Sequence, residues 1–173
     1  IFISAPFYNT LHGSVDKYRI QVAEDSTTVK IDGSTTSING DTLANPYMKG
    51  SIITFISPEA NVINADKPIN VTQFQTSQNC NPQNDGYEND DIPFPGDPEM
   101  TILNPIEQTL KDVTVYSAVS TTAAPTSIRK HFINVIIKTA DAGTLSVDGG
   151  LIPAANFTSI NTEYSYAIID VTQ

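Results

Sequence analysis

Six carboxylates crowd one stretch of this sequence: Asp85, Glu88, Asp90, Asp91, Asp97 and Glu99, with the amide side chains of Asn84 and Asn89 among them. Hard anionic oxygens at that density are what Ca²⁺ takes, which makes Asp85, Glu88, Asp90 and Asp91 candidate calcium ligands. The spacing is not that of an EF-hand, whose glycine and terminal glutamate occupy fixed positions that this stretch does not meet. A solvated acidic loop explains the same residues without an ion, since runs of like charge ordinarily face water. Asp90 and Glu99 also offer the carboxylate pair of a glycoside hydrolase, but that chemistry needs a concave site and one raised pKa. His12 and His131 lie far apart, and the chain has no GxSxG, no HExxH and no Gly-rich phosphate loop. The residues therefore argue against an enzyme. Tyr87, Phe94 and Asp97 read instead as binding residues: with Pro93, Pro95 and Pro98 they make a rigid ridge that contacts a partner at low entropy cost. The competing reading folds Phe94 back onto the core.

That stretch must be held by something, and the composition bounds what. The chain has 173 residues, enough for one full core or two small modules. Its 9 Lys and Arg stand against 19 Asp and Glu, a formal net charge of -10. Phosphate backbones and anionic lipid surfaces are repelled by such a chain, so neither nucleic acid nor a membrane surface is expected as a partner. No apolar run reaches the length of a membrane span. The opening IFISAPFYNT lacks the basic flank of a signal peptide, which suggests a mature piece of something longer. Cys80 stands alone, so no disulfide forms within the chain, and no basic neighbour in sequence lowers its pKa.

Around the acidic stretch the pattern is extended. Tyr18, Ile20 and Val22 alternate with Lys17, Arg19 and Gln21, and Val29 and Ile31 repeat the period against Thr28 and Lys30. Asn39-Gly40 signals a hairpin turn, because both residues accept positive φ cheaply. Ile52, Ile53, Phe55 and Ile56 put apolar groups on both faces, which predicts a central strand. The Ala65–Pro68 corner leads into Ile69, Val71 and Phe74. Met100–Leu103 is a short apolar segment, and Pro105–Lys111 has room for one helical turn. A second set follows at Phe132–Lys138, Leu145–Val147 and Tyr164–Val171. YRIQVAEDSTTVKIDG and NVIIKTADAGTLSVDG match in order, each closing on Asp-Gly, at Asp32-Gly33 and Asp148-Gly149.

The predicted fold is all-β, an antiparallel β-sandwich built from two related β-units joined by a long acidic loop. The units are 1–76 and 106–173, with the Pro/Asn/Asp-rich loop at 77–105. Ile20, Val22, Val29, Ile31, Phe55, Val71, Ile133, Val135, Ile137, Val147, Ala167 and Ile169 form the expected core. The second unit lacks a counterpart of Ile69–Thr76. Its last strand, apolar on both faces, is therefore expected inside a sheet, with its edge completed by another chain or by Ile1–Phe7.

The runs YRIQVAEDSTTVKIDG, ADKPINVTQFQ, GDPEM, NPIEQ, INVIIKTADAGTLSVDG and YSYAIIDV, in that order, resemble the amino-terminal domain of the IgG Fc-binding protein family of animal mucus proteins and bacterial surface proteins. The resemblance covers roughly Val15 to Val171. It implies an extracellular, non-enzymatic β-module, secreted or on the cell surface, that serves adhesion and recognises a protein or glycoprotein partner. The alternative is a structural repeat of an extracellular filament or matrix, self-associating by strand addition. Asn70-Val71-Thr72 and Asn156-Phe157-Thr158 match the N-glycosylation sequon, which makes Asn70 and Asn156 candidate glycan carriers; chance also produces such triplets.

Overall fold

The computed structural model describes residues 1–7, 14–77, 98–116 and 131–172. Among these residues it is mostly β, with several antiparallel sheets and only short 3-10 turns of helix. The chain divides into two compact units, Ile1–Gln108 and Thr109–Gln173.

The first unit holds β1 (Phe2–Ser4), β2 (Asp16–Val22), β3 (Val29–Ile31), β4 (Ser37–Ile38), β5 (Asp41–Thr42), β6 (Ile52–Ser57), β7 (Asn61–Ala65), β8 (Ile69–Gln75) and β9 (Glu99–Ile102). One sheet runs β6-β2-β8-β9 and a second β1-β7-β3. Strict alternation explains β2: Asp16, Tyr18, Ile20 and Val22 are buried and the residues between them exposed. Both sheets supply one core, with Ile53, Phe55 and Val71 beside β2 in the first and Val29, Ile31 and Ile63 in the second. Tyr18 faces Phe55 across the strands, and their rings stack at 4.8 Å and 10°.

The outward edge of β3 is closed by a side chain. Asn45 Oδ1 accepts from Val29 N at 2.7 Å and its Nδ2 donates to Val29 O at 2.8 Å, so one side-chain amide satisfies both backbone groups of Val29 that a neighbouring strand would otherwise pair. Turn chemistry fixes the corners. Asn39 and Gly40 take φ of 47° and 90° between β4 and β5, and Asp32 and Gly33 take 50° and 82° after β3. Asp32 also locks its turn to β7, accepting from Val62 N at 2.7 Å through Oδ1 while its own N donates to Val62 O at 2.9 Å.

At one end the core turns polar. Asp16 Oδ2 accepts from Phe7 N at 3.0 Å and from Gln73 Nε2 at 2.8 Å, and Gln73 Nε2 also donates to Ala5 O. Ser4 Oγ accepts from Asn61 N at 3.1 Å. The Tyr18 hydroxyl and Asn61 Oδ1 are buried without a hydrogen bond; Ser4 and Asn61 lie beside that hydroxyl, but neither meets it in bonding geometry. Burial, with the charge of Asp16 adding to it, pushes the Tyr18 hydroxyl far above its ordinary pKa.

The second unit holds β10 (Phe132–Lys138), β11 (Ser146–Val147), β12 (Gly150–Leu151), β13 (Thr158–Ser159) and β14 (Tyr164–Asp170). One sheet runs β10-β14-β13, and β11 and β12 form a hairpin. Asp148 and Gly149 take φ of 49° and 82° at that hairpin, the local geometry of Asp32 and Gly33.

Four expectations need correction. The strand β6 is an edge of its sheet, not a central strand; its second apolar face is simply exposed. Within 77–105, read as loop, Glu99–Ile102 pairs with β8, because Met100 and Ile102 supply the alternation a strand needs. Of the expected core, Ala167 and all the first-unit members are buried, but Ile133, Val135, Ile137, Val147 and Ile169 are only half-buried. Among the described residues their unit offers a three-stranded sheet and one two-residue hairpin to cover them. Lastly, Phe2–Ser4 pairs with β7 in the first unit instead of closing the edge of β14, which lies between β10 and β13.

Truncating Phe55 to alanine removes the ring that stacks on Tyr18 and should cost about 3–5 kcal/mol in urea unfolding. Tyr18→Phe is the contrasting case. It deletes a buried hydroxyl that has no partner, so stability should hold or rise by about 1 kcal/mol, whereas a loss beyond about 1 kcal/mol would mean the hydroxyl is bonded. Burial and nearby Glu59 raise the Asp32 pKa more than the Val62 N–H bond lowers it. A carboxyl whose folded pKa lies above its unfolded one favours the folded state while protonated, and that contribution disappears as pH rises from the unfolded value through the folded one. Asp32→Asn, which keeps the Oδ1 acceptor, should therefore gain on the parent as pH climbs through the carboxylate range and hold a constant margin above it. An unfolding midpoint difference that is the same at pH 3 and pH 7 would contradict this.

Candidate binding surface

Strand β2 buries alternate residues, so Lys17, Arg19 and Gln21 must point to the opposite side of the sheet. Register places their neighbours. In the first row Ile56, Lys17, Phe74 and Met100 lie side by side across β6, β2, β8 and β9. The next row is Thr54, Arg19, Thr72 and Ile102, and the last is Ile52, Gln21 and Asn70. Ile52, Ile56, Met100 and Ile102 are 58%, 50%, 59% and 58% exposed, too much for core residues and concentrated on one face. The Arg19 guanidinium carbon sits 5.6 Å from the centre of the Phe74 ring, a diagonal contact that holds the cation over the sheet. No residue in these rows is acidic. On a chain of net charge -10, this face is an apolar, basic island.

Most sequence-predicted site residues are not among those the structure describes. Tyr87, Phe94 and Asp97, the candidate calcium ligands Asp85, Glu88, Asp90 and Asp91, and also Cys80 and His12, lie outside the described residues. Glu99 is exposed on β9 opposite Gln75. His131 N donates to Thr172 Oγ1 at 3.0 Å, next to β14. Asn70 is exposed on the outer face of β8, and Asn156 is exposed at the end of a 3-10 turn. Among the described residues no three His, Cys, Asp or Glu side chains converge as metal ligands would. A shallow concavity of about 340 Å³ is lined by Thr28, Lys30, Asn64, Ala65 and Asp66, and Asp66 Oδ1 is already engaged by Thr28 N at 2.7 Å.

Sequence reasoning missed the outer face although its signal was present. The two-sided apolar run Ile52–Ile56 predicted burial on both sides; an exposed apolar face produces the same pattern. Lys17 and Arg19 read as ordinary solvated residues until register placed Ile56, Phe74 and Met100 around them.

A sheet that buries one face in a shared core and leaves the other apolar and basic defines a β-rich module. The chain belongs to the IgGFc-binding protein family: the family model described as IgGFc binding protein matches residues 1–173. That family is a non-catalytic β-module of extracellular proteins. No curated protein matches the chain, and no solved structure does.

Because Ile56 and Ile102 project from the face rather than into the core, Ile56→Thr and Ile102→Thr should each change stability by no more than about 0.5 kcal/mol. Thermal melts of both variants check this, and a loss of several degrees in either would show that the face is covered.

Proposed function

We propose that the chain is a binding or adhesion module of a secreted or cell-surface protein, recognising a protein or glycoprotein partner. Membership of the IgGFc-binding protein family along the whole chain carries this reading, and the exposed face of the four-stranded sheet supports it. We further propose that the two units are related β-units, since both contain an Asp-Gly step of the same backbone geometry. Exposure of Asn70 and Asn156 is what glycan attachment needs in a secretory setting.

The test is direct. The chain, immobilised through a terminal tag, is exposed to purified immunoglobulin G and to a mucin-type glycoprotein in surface plasmon resonance. Saturable binding to either supports the proposal, and no response to both at micromolar concentration overturns those partners.

A second reading rests on β9, which among the described residues ends the order β6-β2-β8-β9 and is exposed at all its residues. An edge of that kind admits another strand, as a matrix subunit requires. Light scattering over a concentration series separates the two: a binding module keeps its mass, while a matrix subunit grows.

A further inference from the structure

We propose that the outer face of the four-stranded sheet is a docking surface for an acidic protein segment whose carboxylates are flanked by aliphatic or aromatic side chains. The inference rests on the reading of the chain as a binding module and deepens it by naming the surface and its partner's chemistry.

Charge selects the partner's sign. The rows centred on Lys17 and Arg19 hold no carboxylate, on a chain where Asp and Glu number 19 against 9 Lys and Arg. An acidic segment is attracted here, against the repulsion of a net charge of -10 on the chain as a whole. Arg19 is partly organised in advance, because its guanidinium already rests over Phe74, and less side-chain entropy is lost when it meets a carboxylate.

Apolar exposure selects the flanks. Ile56 stands on one side of Lys17 and Met100 on the far side of Phe74, so the cations lie between two apolar columns. Ile56 to Met100 spans three inter-strand spacings, roughly 14 Å, and an extended segment covers roughly 13 Å between residues i and i+4. A segment crossing the strands with an apolar residue at i, a carboxylate at i+2 and another apolar residue at i+4 therefore fits one row. A second copy docking face to face about a two-fold axis that passes through the Lys17–Arg19 column would set these cations against their own equivalents, a like-charge cost. A glycan has less to hold, since the exposed groups are aliphatic and Arg19 covers the Phe74 ring.

The experiment titrates the whole chain, labelled at Ile and Met methyl groups, with the capped synthetic peptide Gly-Leu-Ser-Glu-Ser-Leu-Gly at low ionic strength, followed by NMR. Expected are shifts at Ile52, Ile56, Met100 and Ile102, smaller in 0.5 M salt because the charge contribution is screened. The Lys17→Glu/Arg19→Glu variant, with a melt like the parent's, should bind at least about tenfold more weakly. A peptide with Glu replaced by Gln, and one with both Leu replaced by Ser, should each lose most of the affinity. Shifts confined to other methyl groups, or no shifts at millimolar peptide, overturn the proposal. A response to heparin that matches the peptide's at the same methyl groups overturns it in favour of an anionic polysaccharide. Growth in mass that Ile56→Thr abolishes overturns it in favour of a second copy. The two readings fail separately: glycoprotein binding unaffected by Lys17→Glu/Arg19→Glu sinks this surface alone, while peptide docking without any glycoprotein binding sinks the broader function alone.

Discussion

A strand paired on both sides can send a given side chain in only one of two directions, and β2 is under that constraint along its whole length. It pairs with β6 on one edge and with β8 on the other. A slip of one residue would turn Tyr18, Ile20 and Val22 to solvent and Lys17, Arg19 and Gln21 into the core, a loss no other contact in the unit can offset. The stack of Tyr18 on Phe55 adds a cross-strand contact that only this register permits. The second sheet is then obliged to present Val29, Ile31 and Ile63 to the same core.

The outer face follows from the inner one. Once β2 is fixed, Lys17 and Arg19 form a column of charge whose flanks are set by whatever β6 and β9 carry at facing positions. Those positions hold Ile56, Ile52, Met100 and Ile102. Most sheets with one solvated side clothe it in polar residues. Here the flanking columns are aliphatic and half or more exposed, so water is in contact with surface it would leave if a partner covered it. Core and outer face are thus two sides of one register.

What could be read from the sequence divides along the same line. Local rules worked: the Asn39-Gly40 and Asp32-Gly33 turns, the alternation of β2 and the helical turn at Ile106–Gln108 depend on near neighbours only. Strand order did not, because Ile52–Ile56 has the same composition at the edge of a sheet as in its middle. The second unit shows the limit most clearly. In the matched runs Tyr18 corresponds to Asn134, and the facing pairs are Tyr18 with Phe55 and Asn134 with Ile168. Yet Tyr18 is buried while Asn134 is exposed, and Ser165 and Ala167 are buried across from Ile137 and Val135. With Ile136 and Ile137 adjacent, periodicity alone cannot say which face turns inward. The candidate site suffered most, since it is assembled from four strands and no single run contains it.

The polar end of the core looks at first like a weakness. Ser4, Asp16, Asn61 and Gln73 are all buried, and the Tyr18 hydroxyl lacks a partner at a cost of about 1–3 kcal/mol. Apolar residues of similar size would remove that cost. They would also remove what tells β1 where to stop. This strand is only three residues long, and the pairing of Ile3 with Val62 gives it little preference for one register over the next. Ser4 supplies the preference, because only in the observed register does its Oγ meet Asn61 N, while Ala5 O and Phe7 N just beyond it reach Gln73 and Asp16. A shift by one residue would break all three bonds inside the protein, where no water replaces them. The buried polar groups thus contribute less to the depth of the folded state than to its uniqueness, tying the amino-terminal segment to β2, β7 and β8 at once.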